Sequence, residues 1–213
     1  MGLVCACTIG LLLADDSHAA FDIDRDAFSI SNEPGYCFAM AAFARWYYLR
    51  NSGEPGLRLL LNQRIQTKIA RDLQRFYSKH LIGVQADYCN EHHRDQRESY
   101  RRFLAGLTIG EPRIVLLMNK GNRGVVLHAV LAYEWLPEKN RLKVYDPNYP
   151  NQRRVVDLES KEYTSLDITY SEICFPEVLH HHRGLVKRME RLFRKNVAVR
   201  SAALARPASF RPR

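Results

Sequence analysis

The sequence predicts an α+β fold, with helices in the first half of the chain and an antiparallel sheet in the second. Three observations carry this. Between 57 and 81 the apolar residues Leu57, Leu60, Leu61, Ile65, Ile69, Leu73, Phe76 and Tyr77 recur at helical spacing, with basic residues between them. Beyond Glu111 the period changes to apolar runs of strand length, "EPRIVLLMN", "VVLHAVLAYEW" and "RLKVYDP". Those runs are joined by the short turn segments "KGNRG" and "LPEKN", which suit hairpins; parallel strands need longer crossovers.

Taken in order, the chain opens on "VCACTIGLLLA", an apolar run too short to span a bilayer. Ser17-x-Ala19 follows in an A-x-A-like cleavage pattern, so residues 1–20 read as a signal peptide even though only Met1 and Gly2 precede the run. That reading places the protein outside the cell or in the periplasm. "FDIDRDAFSISNEPG" is turn-rich and partly extended. Tyr36 to Arg50 reads as a helix entered through Pro34-Gly35; its one charge before Arg50 is Arg45, so it is expected to be buried on most faces. "NSGEPG" is a break, and Leu57–Leu81 forms one long or two short amphipathic helices. "IGVQADYCNEHHRDQ" is expected as a loop and Arg97–Leu107 as a short helix. After the three strands, "QRRVVDLE" and "SLDITYSEICF" read as further strands. "GLVKRMERLFRKNVAVR" is a basic amphipathic helix, and "SAALARPASFRPR" is expected to be disordered. The chain thus divides into a leader (1–20), a folded domain (21–182) and a basic helix with a tail (183–213).

The formal charge of +9 is concentrated in that last segment. Residues 183–213 hold ten Lys/Arg and one Glu, which leaves 22 basic and 22 acidic residues in the body. A neutral body gives no basis for specific nucleic-acid binding. The helix carries Leu185, Met189, Leu192 and Phe193 on one stripe, so it either lies on an anionic membrane or acidic partner, or packs on its own domain.

Of five cysteines, Cys5 and Cys7 leave with the leader. Cys37, Cys89 and Cys174 remain, and an odd number in an exported chain points to a free, reactive thiol. Whether Cys89 and Cys174 pair stays open. "CNEHH" (Cys89, His92, His93) has metal-like spacing but no second half, so no metal site and no cofactor are assigned. His180, His181 and His182 are expected at the surface.

Three polar residues interrupt apolar patterns. Cys37 stands at a helix N-terminus, His128 inside "VVLHAVLAY", and Asp146 at the tip of "LKVYD". Each has an ordinary reading, as a core cysteine, a satisfied core histidine and a turn aspartate. Together they have a chemical one. Unpaired amides at a helix N-terminus favour a thiolate, and a neighbouring imidazolium favours it further. A carboxylate on the other ring nitrogen fixes the tautomer. His128 and Asp146 lie on hairpin-linked strands, where cross-strand neighbours are about 5 Å apart. A backbone amide at Cys37 and the side chain of Asn32 are the available donors for an oxyanion.

With "GYCFAMAAFARWYY", "HAVLAYEW" and "VYDPNYP" in this order, the stretch from Asn32 to Pro150 resembles the papain-like cysteine peptidase superfamily, nearest in look to bacterial YopT-type branches. The resemblance implies a papain-like fold with Cys37 as nucleophile, His128 as base and Asp146 as orienting acid. Many such enzymes carry a Gln about six residues before the cysteine; here Ser31 holds that position, with Asn32 beside it. The expected activity is thiol hydrolysis of peptide or isopeptide bonds in a protein or peptide substrate. An acyltransferase or transglutaminase-like enzyme on the same triad, and a non-catalytic papain-like binding module, are the alternatives.

Overall fold

The computed structural model describes residues 20–32, 35–51, 55–91, 96–121 and 124–204. The leader reading therefore lies outside the described residues, as do His92 and His93 and the end of the tail. Six helices come first: α1 (Ile23–Asp26), α2 (Cys37–Asn51), α3 (Leu57–Leu60), α4 (Gln63–His80), α5 (Ile82–Glu91) and α6 (Gln96–Thr108). Seven strands follow: β1 (Arg113–Gly121), β2 (Gly124–Leu136), β3 (Arg141–Tyr145), β4 (Arg153–Asp157), β5 (Tyr163–Ser165), β6 (Ile168–Tyr170) and β7 (Glu172–Cys174). Helices α7 (Glu177–His180) and α8 (Arg183–Leu204) close the chain. The fold is α+β, with the helices N-terminal to the sheet apart from these last two.

Helix α2 is buried from Phe38 through Tyr48, so its apolar residues need no stripe. Phe38 stacks on Tyr77 of α4 with ring centroids 3.8 Å apart, and Phe43 meets Phe28 edge-on. Its buried charge, Arg45, donates through Nε to the Pro112 carbonyl at 2.8 Å, which satisfies a group that would otherwise resist burial.

The main sheet runs β4-β3-β2-β1-β7, and its pairs are antiparallel; β5 and β6 form a separate hairpin. Alternation along β2 assigns its two faces. Ala129 and Leu131 pack with α2, α4 and α8, whereas Val130 and Ala132 join Phe103 and Leu107 of α6. A sheet covered on both faces reads as a continuous apolar run, which is why β2 shows no polar alternation.

The structure corrects the sequence reading in some places and answers what it left open in others. Residues 82–91 are helical, not a loop. Cys89 of that helix is bonded to Cys174 of β7, leaving Cys37 as the free cysteine among the described residues. Helix α8 continues through Leu204, into the first residues of the expected tail. Its apolar stripe is in the core: Leu185, Met189 and Leu192 are buried, and Phe193 packs on Trp46 and Tyr47. Burial of each such side chain contributes about 1.5–3 kcal/mol, so the first half of 183–213 belongs to the folded unit. Finally, His180 is buried, not superficial. It accepts from the Ile114 amide at 3.1 Å and sits 3.5 Å from Glu177. Burial, ahead of the opposing Glu177 contact, pulls its pKa down to about 4 and keeps it neutral.

Candidate active site

Cys37 is the first residue of α2, since the Tyr36 carbonyl accepts from Met40 at 3.0 Å. Gly35 feeds this start with φ +83°, a left-handed conformation that side chains resist. Its amide donates back to the Asn32 carbonyl at 2.9 Å. The helix leaves its first amides without intrahelical partners. Gln74 of α4 takes one of them, accepting from Ala39 at 3.1 Å. The Cys37 amide belongs to the same set of first-turn donors.

His128 and Asp146 meet as the hairpin reading expects. Asp146 follows Tyr145, whose partner across the sheet is Leu131, and so lies diagonal to His128. Nε2 of His128 is 2.8 Å from Oδ1 of Asp146. That contact leaves the ring's Nδ1 for another partner, and Cys37 lines the same cavity as His128.

The carboxylate is fully buried and has four partners. Oδ1 accepts from His128 and from the Asn148 amide at 2.8 Å; Oδ2 accepts from the Tyr163 hydroxyl at 2.7 Å and the Ser165 hydroxyl at 2.8 Å. Burial pushes the Asp146 pKa up, but the contacts with His128, Tyr163 and Asn148 outweigh it and hold the group below its ordinary value. Burial likewise pulls His128 down, and its interactions with Asp146 and Cys37 outweigh that, raising it to about 9. This balance favours a protonated imidazole beside the carboxylate.

Asn32 is stitched to the same turn. Its amide donates to the Pro147 carbonyl at 3.0 Å, and its Nδ2 to Oδ1 of Asn148 at 2.7 Å. Asn148 passes the chain on through Nδ2 to Ser165 at 2.7 Å, and Ser165 donates to Asp146. The polarity runs one way, each donor facing toward the carboxylate, so every link strengthens the next. One Asn32 hydrogen is thereby engaged.

Cys37, His128, Asn32 and Asn148 line one cavity of about 370 Å³, with Asp146 behind His128. Larger clefts of about 440, 510 and 1000 Å³ hold none of these residues. At the mouth stand Ile82, Leu166 and Ile168, all exposed large apolar side chains. Leu166 has φ +47°, a strained conformation for a branched residue, and its amide is held by the Tyr149 hydroxyl at 2.9 Å.

All four sequence-predicted residues are thus in or against one site. Sequence reasoning missed Asn148, Tyr163 and Ser165, which hold Asp146, and Gln74 and Gln85 in the cavity wall. Asn148 stood within the "DPN" stretch; the others carried no local signal. Comparison with protein-family models, curated proteins and solved structures returned no match.

Proposed function

We propose that this chain is a papain-like thiol hydrolase acting on peptide or isopeptide amides. The observation that carries the reading is the buried Asp146–His128 pair in one cavity with Cys37, which stands at a helix N-terminus. A nucleophile, base and orienter need such an arrangement.

In the first step Cys37 Sγ attacks the amide carbon, forming a C–S bond and moving the carbonyl electrons onto oxygen. The oxyanion is met by the Cys37 amide and a side-chain amide, of which Asn32 is the nearest in sequence and Gln74 a second in the same cavity. The His128 imidazolium then gives its proton to the departing nitrogen as the C–N bond breaks. In the second step His128 takes a proton from water, which attacks the thioester and releases the acid and the thiol. Asp146 keeps the ring oriented throughout and stays ionised.

The apolar mouth suits a peptide or acyl substrate. The disulfide supports export, because such bonds persist in oxidising compartments. Helix α8 turns Lys187, Arg191, Arg194 and Lys195 outward, and this face is the one left for an anionic surface or acidic partner.

The test is a mixed peptide library with and without an added amine, read by mass spectrometry against Cys37→Ala. Cleavage lost in the variant supports the reading. A new amide in place of the free acid redirects it to acyl transfer. No product of either kind, with Cys37 inert to thiol reagents, overturns it in favour of a binding module.

A further inference from the structure

Helix α4 presents Arg71, Gln74, Arg75, Ser78 and Lys79 on one side, at i, i+3, i+4, i+7 and i+8. With Tyr36 they line a cleft of about 440 Å³. Three of these side chains are cations and none is an acid. Arg71, Arg75 and Lys79 are exposed. Arg71 meets one carboxylate, Asp72 at 3.6 Å; among the described residues Arg75 and Lys79 meet none.

The cleft adjoins the catalytic cavity. Gln74 lines both, and Tyr36 directly precedes Cys37. Gln74 is also tied to the nucleophile's helix, its Oε1 accepting from the Ala39 amide at 3.1 Å. A chain lying across Gln74 therefore runs from the thiol into a cationic recess.

Resting on the proposed hydrolase reading, we infer that this cleft is a subsite for acidic side chains of a peptide substrate, a few residues from the scissile bond.

The spacing of the cations selects an extended peptide. Arg71, Arg75 and Lys79 follow one another four residues apart, about 6 Å along a helix. Alternate side chains of an extended strand point the same way and are about 6.6 Å apart. Acidic residues at alternate positions of a bound strand thus meet successive cations. From Gln74 to Lys79 is about 7.5 Å along the helix, which an extended chain covers in two or three residues. One phosphate group is too compact to engage a row about 12 Å long. A membrane surface is flat, whereas these cations stand around a recess. The mouth residues Ile82, Leu166 and Ile168 line the catalytic cavity and not this cleft. The substrate so described is apolar at the thiol and acidic further along.

The test is fluorescence anisotropy of labelled peptides on Cys37→Ala protein, which reads binding without turnover. The peptides share an apolar centre and carry, on both sides of it, alternating glutamates, glutamines or lysines. At low salt the glutamate peptide should bind about 3–100-fold more tightly than the glutamine peptide, as three exposed charge contacts allow, and the gap should close at about 1 M salt. Arg75→Glu with Lys79→Glu should abolish the gap and favour the lysine peptide. Arg75→Gln with Lys79→Gln is the second variant; it should narrow the gap, with an unchanged melting temperature because both side chains are exposed.

Equal binding of the glutamate and glutamine peptides, or a preference that both α4 variants leave unchanged, overturns the proposal. So does an equal loss on Arg191→Glu with Arg194→Glu in α8, which marks net charge and not the cleft. Binding to vesicles of phosphatidylcholine and phosphatidylserine that the α4 variants lose, with no preference among the peptides, makes this face a membrane contact and the peptide assignment fails. Labelling of wild-type Cys37 by methyl methanethiosulfonate, which has no charge to place in the cleft, tests the hydrolase reading separately.

Discussion

Reduction of the Cys89–Cys174 bond should destabilise the protein more than any single side-chain change outside the core. The two cysteines are 85 residues apart in sequence, so the bond closes most of α6 and the sheet into one loop. In the chain-entropy treatment a loop of that size removes about 15 cal/mol/K from the unfolded chain, or roughly 4.5 kcal/mol at 25 °C. For a domain of this length 1 kcal/mol moves the melting temperature by about 2–4 °C, which gives a shift of roughly 9–18 °C. Both cysteines are buried in the main core, so reduction leaves the packing nearly intact and isolates the constraint. The assay is calorimetry on Cys37→Ser protein, which cannot shuffle disulfides through the nucleophile. One half is kept oxidised, and the other is reduced in denaturant and refolded with phosphine present. Alkylation and mass spectrometry count the thiols in each. A shift under about 3 °C, or two free thiols in the untreated protein, refutes the reasoning. Because α5 carries Ile82 and Gln85 in the cavity wall, the reduced protein should also lose substrate preference before it loses Cys37 reactivity.

Three further outcomes follow from the same contacts. With His128 raised to about 9, kcat/KM for the amide substrate should hold up to that pH and fall above it; Asp146→Asn removes the carboxylate charge and should move this alkaline limb to lower pH. The same shift affects stability. The folded protein holds the His128 proton above its ordinary 6.5, so that contribution is complete below 6.5 and is lost as pH rises to 9; Asp146, held low, contributes above 3.8 and loses its contribution as pH falls through its folded value. Melting temperatures across both windows, in wild type and His128→Ala, check the signs. Leu192→Ala in α8 should cost about 2–4 kcal/mol in urea unfolding, since its side chain is 4 % exposed in the core; a cost under 0.5 kcal/mol would mean the helix is separable after all.

The residues that sequence reasoning found share one property. Cys37, His128 and Asp146 each break an apolar pattern, so an unexplained polar group marks them without any knowledge of the fold. Tyr163, Ser165 and Gln85 break nothing. A glutamine on an amphipathic helix looks like part of a solvated face, and a tyrosine or serine in a short strand looks like ordinary strand composition. Their roles depend on contacts 17 to 19 residues away for Tyr163 and Ser165, which no local pattern encodes. His180 is a stronger case, placed by the Ile114 amide 66 residues earlier. Helix α5 is not legible as a helix because its apolar residues form only a weak stripe; the disulfide supplies the anchoring that periodicity does not advertise. The strands of the sheet were legible because turn chemistry and run length agree there. The fate of α8 was open because one apolar stripe serves a membrane and a core equally well.

The central claim is that Cys37 is a nucleophile made reactive by His128. The most direct measurement is the rate of Cys37 alkylation by a small electrophile between pH 5 and 10, in wild type and in His128→Ala, with the site of labelling fixed by mass spectrometry. The account predicts fast, nearly pH-independent labelling of the wild type from about pH 6 to 8, and in His128→Ala labelling that is at least about 10-fold slower near pH 6 and rises with pH as for an ordinary thiol. Identical profiles in the two proteins would contradict it.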